Sequence, residues 1–236
     1  AYFQSQEIFN QINFSEGKAA VFGNLGVAYR SIGDYEKAID FYFKSMEIEQ
    51  EIGDRRSIAD SLGNLGNAYD SLGDYQKATD FYTQSIETKQ EIGDRSGLAT
   101  SLGNLGNVYH ALGNYQQAIE LHLQCLEIKQ AIGDRAGIAT SLSGLGNAYY
   151  SLGEYKKAIE LHSQCLEIKQ EIGDRWGMGA SLFNIAQTQS ILGEPSQALL
   201  DFQQSRSIYE ELKLNHMVEQ CKNAIRKCTQ AIATTR

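Results

Sequence analysis

The sequence predicts an all-α solenoid in which antiparallel helix pairs stack along one axis. A block of 40 residues recurs in register, its apolar residues are spaced three and four apart, and Gly-Asp pairs stand at its boundaries. Such a period is typical of repeat proteins, where each unit buries its apolar face only against its neighbours. One block contains Gly63, Asn64, Leu65, Gly66, Asn67 and Tyr69, and the next contains Gly103, Asn104, Leu105, Gly106, Asn107 and Tyr109.

The first helix of each block, helix A, is predicted from its apolar stripe. Between Ser61 and Leu72 the apolar residues follow the helical spacing, at Leu62, Leu65, Ala68, Tyr69 and Leu72. Gly73 suits the left-handed conformation that follows a helix, and the Asp74 carboxylate can accept hydrogen bonds from the free N–H groups of the next helix. A tight turn is therefore expected after helix A.

The second helix, helix B, follows that turn and carries its own apolar face, at Tyr75, Ala78, Tyr82, Ile86 and Ile92. Gly93 ends it, and Asp94 caps the next helix A. In the last block Glu194 and Pro195 replace the Gly-Asp signal, and proline is tolerated at the first position of a helix.

The register of the repeats divides the chain into three parts. Residues 1–13 align with a stretch of helix B, so they are predicted to be the second helix of a truncated preceding repeat. Residues 14–213 are predicted to form five helix pairs. Residues 214–236 are predicted to form a C-terminal capping helix and tail, which repeat arrays need to cover their last apolar face.

Composition and charge argue against several classes of protein. The net charge is −8, and Lys and Arg are not clustered, which argues against a nucleic-acid partner. No apolar run approaches the ~18 residues of a membrane span, and the start of the chain is too polar for a signal peptide, so we expect a soluble, cytoplasmic protein. The four cysteines lie at helix-packing spacings, which favours reduced thiols.

The repeated positions resemble the tetratricopeptide repeat (TPR) family across nearly the whole chain. The matching residues of one block are Leu62, Leu65, Gly66, Tyr69, Gly73, Tyr75, Ala78, Tyr82 and Ser85. The usual TPR period is 34, and the longer block here is similar to the extended repeats of kinesin light chains, GoLoco-containing polarity adaptors and bacterial multi-repeat signalling proteins. The resemblance implies a right-handed α-α superhelix whose concave groove is lined by the helices A.

Carried over from that family, the groove positions give our candidate peptide-binding residues. They are Asn24, Asn64, Asn67, Asn104, Asn107, Asn147, Asn184, Asp60, Asp70, Thr100, His110, Thr140 and Tyr150. An asparagine amide can pair with both backbone groups of an extended peptide without requiring a particular side chain. The alternative interpretation is that these amides bond neighbouring helices or face water.

The charge of the groove positions suggests which partner to expect. Asp60, Thr100 and Thr140 stand where lysines would help to hold an acidic ligand, and the groove arginines of the polarity adaptors are not matched either. A neutral or basic protein segment is therefore favoured over an acidic one.

Two further patterns have both a chemical and a structural interpretation. His122 with Cys125, and His162 with Cys165, could supply four zinc ligands, but they occupy positions that the family uses for packing, so no metal is predicted. A row of arginines could bind an anion, or each could be solvated or paired locally, which we favour. The row is Arg55, Arg95, Arg135 and Arg175.

The leading functional hypothesis is a protein-interaction scaffold that holds an extended peptide or a partner helix. No catalytic motif or phosphate loop is found, so neither enzyme activity nor a cofactor is predicted. One alternative is the sensor or regulatory arm of a larger signalling enzyme, such as a caspase-like protease or a nucleotide-switch ATPase. Another is self-association through the open N-terminal end, at Tyr2, Phe3, Ile8 and Phe9.

Overall fold

The computed structural model describes the backbone of residues 2–234 and the side chains of residues 14–234. Over this part of the chain it contains eleven α-helices and no strand, in consecutive antiparallel pairs, which confirms the predicted fold class. The helices are α1 (Tyr2–Ser31), α2 (Tyr35–Ile52), α3 (Arg55–Leu72), α4 (Tyr75–Glu91), α5 (Arg95–Ala111), α6 (Tyr115–Ala131), α7 (Arg135–Ser151), α8 (Tyr155–Glu171), α9 (Arg175–Ile191), α10 (Pro195–Glu211) and α11 (Asn215–Thr234).

The boundaries of the helices follow the predicted turn chemistry. Gly73, with φ of 78°, follows α3 in the left-handed region, where a side chain would be strained. Six aspartates accept a hydrogen bond from a backbone N–H of the helix they precede, namely Asp34, Asp54, Asp74, Asp94, Asp134 and Asp174. Pro195 is the first residue of α10, as its missing N–H allows.

Helix α1 differs from the expected division of the chain at residue 13. It runs without a break from Tyr2 to Ser31. The sequence explains this difference, because Asn13 and Phe14 stand where Gly53 and Asp54 stand one block later, so the helix-ending glycine is missing. The assignment of residues 1–13 to a preceding repeat remains a prediction about register.

The chain forms two compact units, residues 1–112 and residues 113–236. The first unit contains α1 to α5, each packed against the next. One of its core clusters joins Tyr42 of α2 to Leu65 of α3. Because both side chains are fully buried, they hold one helix pair against the next.

The second unit contains α6 to α11, again with each helix packed against the next. Helix α11 contributes Val218, Cys221 and Cys228 to two buried clusters, one around Tyr209 and one around Phe202. It thus covers apolar residues that α10 would otherwise expose. Within the described residues, no helix is both long enough and apolar enough to cross a membrane.

Candidate functional site

Small residues on the helices A let aromatic rings of the helices B approach closely. The ring of Tyr82 in α4 lies against Gly66 of α3, where an added Cβ would come within 2.8 Å of the ring carbons. Tyr82 is fully buried, and its hydroxyl donates a hydrogen bond to Asn67 Oδ1 at 2.8 Å. Desolvation of this hydroxyl raises its pKa, so it stays a neutral donor. Gly66 and Tyr82 therefore position the amide of Asn67.

The same amide oxygen joins two helices A. Asn104 Nδ2, on α5, donates to Asn67 Oδ1 at 3.2 Å. For these two residues the structure therefore shows the contact between neighbouring helices that was the alternative interpretation. Both side chains remain half-buried rather than buried. Since Oδ1 of Asn67 must accept both bonds, its Nδ2 is directed elsewhere, and the orientation of each amide is fixed.

The other asparagines of the first unit differ in exposure. Asn64 is half-buried, whereas Asn24 and Asn107 are exposed. No side-chain hydrogen bond is recorded for any of these three within the described part of the chain. In the first repeat Val27 stands at the position of Asn67, so the buried hydroxyl of Tyr42, equivalent to Tyr82, lacks an amide acceptor and has the guanidinium of Arg30 as its polar neighbour.

The second unit carries the two remaining asparagine candidates. Asn147 on α7 is exposed and Asn184 on α9 is half-buried. These residues are separated by the same 37 positions as Asn67 and Asn104, yet no bond between their side chains is recorded. Part of the reason is that His162 replaces the tyrosine that orients Asn67 in the first unit.

Asp60 has a basic partner that the sequence analysis missed. Lys89 Nζ, on α4, lies 3.1 Å from Asp60 Oδ1, and the lysine side chain is only 7% exposed. The lysines equivalent to Lys89 in the next two repeats pair with a different carboxylate. Lys129 pairs with Asp134 at 2.8 Å, and Lys169 pairs with Asp174 at 2.7 Å. The signal was present in the sequence, since these lysines recur at the period of the repeat.

Asp70 is the acidic candidate without such a partner. Its carboxyl group is half-buried on α3, and no ion pair or hydrogen bond of its side chain is recorded within the described residues. Desolvation raises the pKa of this carboxyl. A cation or a hydrogen-bond donor placed beside Asp70 would offset that cost.

The remaining candidates are polar or aromatic side chains on helices A. Thr100 and Thr140 are exposed, and their hydroxyls donate to the carbonyl oxygens of Ser96 and Ala136, one turn earlier. His110 on α5 is half-buried. Tyr150 on α7 is also half-buried and packs edge-on against Tyr155, with ring centroids 5.7 Å apart.

The histidine and cysteine pairs lie in the packed interior. His122 lies against Gly144, and His162 lies against Gly146. Burial lowers the pKa of His162 to about 4 and raises the pKa of the Cys165 thiol. Among the described residues, no group of three or more histidine, cysteine or acidic side chains is arranged to hold a metal. These contacts agree with the packing interpretation of both pairs.

Three members of the arginine row have local acidic partners. Arg55 pairs with Glu91, Arg135 with Glu171, and Arg175 with Glu211. Each pair joins the start of a helix A to the end of the following helix B. The local interpretation is therefore confirmed for these three residues.

Known structures share this fold over most of the chain. A putative kinesin light chain from Podosopora anserina, with nearly identical TPR-like repeats, has a TM-score of 0.69 at 22% identity, covering 84% of this chain and 97% of its own. A Rap protein in complex with competence and sporulation factor has a TM-score of 0.76 at 14% identity, covering 92% of this chain and 64% of its own.

A third similar structure belongs to a larger protein. It is a signal transduction ATPase with a tetratricopeptide repeat sensor from Pyrococcus horikoshii, with a TM-score of 0.71 at 16% identity. The match covers 94% of this chain and 38% of the ATPase. At these identities the likeness concerns the fold alone.

Sequence comparison identifies the family directly. No curated protein sequence matches this chain significantly. The model of the tetratricopeptide repeat family, however, matches residues 17–91, 97–171 and 137–211, which together make up most of the sequence. With the helix pairs described above, this match shows that the chain belongs to the tetratricopeptide repeat family.

Proposed function

We propose that this chain is a protein-interaction module whose first unit binds an extended peptide or a partner helix along the helices A. The TPR fold is consistent with a protein-interaction role. The observation that supports the proposal most directly is the ordered amide pair of Asn67 and Asn104. Their mutual bond leaves Nδ2 of Asn67 as a donor and Oδ1 of Asn104 as an acceptor, which suits the C=O and N–H groups of an extended chain.

The free amides beside this pair extend the candidate surface. Asn64 and Asn107 lie one turn from the paired residues on α3 and α5, respectively. A half-buried amide is restricted in its rotamers before a ligand arrives, so less conformational entropy is lost on binding. Asn64 is therefore the strongest single contact we propose, and Asn107 the more adaptable one.

Asp70 gives the site a preference in charge. Because it is half-buried and lacks a recorded partner, a lysine or arginine of the ligand would compensate its desolvation. Asp60 cannot contribute in the same way, since Lys89 already neutralises it. We therefore propose a neutral or basic ligand segment for the first unit, with Asp70 as the residue responsible.

A random dodecapeptide phage library panned on the full chain supplies probes for a test. The double variant Asn64→Ala/Asn107→Ala removes two amides that have no recorded bonds in the fold and places a better helix former at both positions, so its thermal stability should not fall. We expect it to bind the enriched peptides about tenfold more weakly in fluorescence polarisation, from two lost hydrogen bonds of roughly 0.5–1.5 kcal/mol each.

A matched control tests the location of the site. Asn215→Ala changes an exposed asparagine at the start of α11, outside the proposed surface, and should leave affinity unchanged. If no peptide is enriched, or if the double variant binds as tightly as the parent chain, the proposal of a groove in the first unit is contradicted.

A second candidate function is the sensor arm of a larger signalling protein. The similar ATPase from Pyrococcus horikoshii is described as having a TPR sensor, and its matched region contains nearly all of this fold. Sequencing the gene on both sides of this segment distinguishes the two candidates, because a sensor arm would be followed or preceded by a nucleotide-binding or protease domain. Self-association through Tyr2, Phe3, Ile8 and Phe9 lies outside the described side chains and remains a prediction.

A further inference from the structure

The geometry points to a second binding site in the C-terminal unit, for a peptide segment that carries a bulky apolar side chain beside an acidic residue. This inference rests on the proposed function, namely that the chain binds peptides. It concerns a different surface, different residues and a different ligand charge from those of the first unit.

The site is a half-open cavity of about 560 Å³, bordered by α7, α9, α10 and α11. This volume is typical of ligand pockets. Its buried floor includes Phe202 and Cys228, which are 3% and 4% exposed. Phe183 packs edge-on against Phe202, with ring centroids 5.2 Å apart, and Ile191 borders the cavity with 48% of its surface exposed. An apolar side chain entering here would cover surface that water now contacts.

Several lining residues occupy helix A positions that coincide with, or lie beside, the asparagine positions of the first unit. Phe183 corresponds to Gly63, Ala224 to Asn64, and Ile191 to Ser71, each at a multiple of 40 residues. The structural position is thus retained while glycine, amide and hydroxyl are replaced by apolar groups. These replacements favour recognition of an apolar side chain by the second unit, whereas the amides of the first unit favour recognition of a peptide backbone.

Lys227 determines the expected charge of the ligand. It corresponds in register to Asn67 and is the one charged residue in the cavity lining described here. It is exposed, and no ion pair of its ammonium group is recorded within the described residues. Gln187, Gln220 and Asn223 also line the cavity and are neutral amides. Asn223 Oδ1 accepts a hydrogen bond from Arg226 at 3.0 Å, and Gln220 Nε2 contacts His216, so Asn223 Nδ2 and Gln220 Oε1 are the groups that suit the backbone of a peptide. An acidic side chain next to the apolar anchor would therefore complement this rim.

The test uses the same random dodecapeptide library, panned on the full chain and then on two variants. Ile191→Gln removes an exposed apolar contact, and Lys227→Glu reverses the charge at the rim. We expect one class of enriched peptides to combine Phe, Trp, Leu or Met with an adjacent Asp or Glu. Each variant should bind these peptides about tenfold more weakly in fluorescence polarisation. High salt should reduce the effect of Lys227→Glu on affinity, because it screens the charge.

The controls separate this site from that of the first unit. Lys222→Glu reverses an exposed charge on the same helix outside the cavity and should leave affinity unchanged. The variant Asn64→Ala/Asn107→Ala should bind the apolar-acidic peptides normally. Enriched peptides that are indifferent to Ile191→Gln and Lys227→Glu would overturn the second site, even where the asparagine variant shows the first site to be real.

Other occupants give different results. If light scattering shows a dimer that Ile191→Gln dissociates, the cavity belongs to a second copy of the chain and the proposal is overturned. If no apolar-acidic peptide is enriched while decanoate binds the chain and Ile191→Gln abolishes that binding in calorimetry, the cavity is a site for a fatty acid and the proposal is overturned as well.

Discussion

At the residue scale, two glycines of α3 have opposite environments although both recur at the period of the repeat. An added Cβ at Gly66 would lie 2.8 Å from the buried ring of Tyr82, closer than side chains tolerate. At Gly63 the nearest atom is Ser85 Oγ at 3.4 Å, which is an ordinary contact. Packing therefore requires glycine at position 66, while it leaves room for a methyl group at position 63.

This difference predicts opposite effects of the same substitution. Gly66→Ala should lower the free energy of unfolding by roughly 1–3 kcal/mol, because the core around Tyr82 becomes overpacked. Gly63→Ala should be neutral, or stabilising by up to about 1 kcal/mol, since alanine is the better helix former. Urea unfolding of both variants measures the contrast, and equal midpoints would contradict it.

At the scale of the elements, α4, α6 and α8 each present a largely buried lysine near their ends, and the nearby carboxylates determine which residue pairs with it. Lys89 pairs with Asp60 of α3, whereas Lys129 pairs with the aspartate that caps α7. One block after Asp60 the register has Thr100, which carries no charge. The lysines thus stay neutralised although the repeats differ in sequence.

Removal of the Asp60 carboxylate and removal of the Asp134 carboxylate should therefore lower the free energy of unfolding by different amounts. Asp60→Thr should cost less than about 1 kcal/mol, because Lys89 can turn to Asp94 as Lys129 turns to Asp134. Asp134→Ser keeps a good helix cap but leaves Lys129 buried without its carboxylate, at a cost of about 2–3 kcal/mol. Thermal unfolding of the two variants compares them, and a larger loss for Asp60→Thr would refute the exchange of partners.

At the scale of the whole molecule, stability is built from contacts between successive helices. Within each unit the helix contacts are dominated by pairs adjacent in sequence, with weak additional contacts one helix further on. In such arrays the free energy is approximately a sum of terms for each repeat and for its nearest neighbours. A disturbance at one end should consequently remain local.

Val218→Asp tests this locality. Val218 is 7% exposed in the cluster of Tyr209 and Cys221, so a buried carboxylate there should destabilise α11 by about 3 kcal/mol. Amide hydrogen exchange should accelerate in α10 and α11 while α3 and α4 keep their protection. Gln230→Asp, at an exposed position of the same helix, should change neither the stability of α11 nor the exchange rates of α10 and α11. Uniform loss of protection would show global cooperativity instead.

The period and the local chemistry of the sequence determined the family and the boundaries of most helices. Gly73 and Asp74 act through their own backbone and its nearest neighbours, so their effect can be inferred without knowledge of the fold. The unbroken helix across residue 13 has the same origin, since the repeat register continues there without the Gly-Asp signal that ends the later helices. Periodicity likewise predicted which helix faces carry the asparagines.

The tertiary structure alone decided which of those side chains are available. Asn67 bonds to Tyr82 and Asn104, Asp60 is neutralised by Lys89, and Asp70 is left without a recorded partner. These residues lie on the same face of their helices, but their bonding partners belong to other helices. Local rules fix where a helix begins and which face a residue occupies, whereas hydrogen bonding, ion pairing and cavities depend on the side chains that packing brings together.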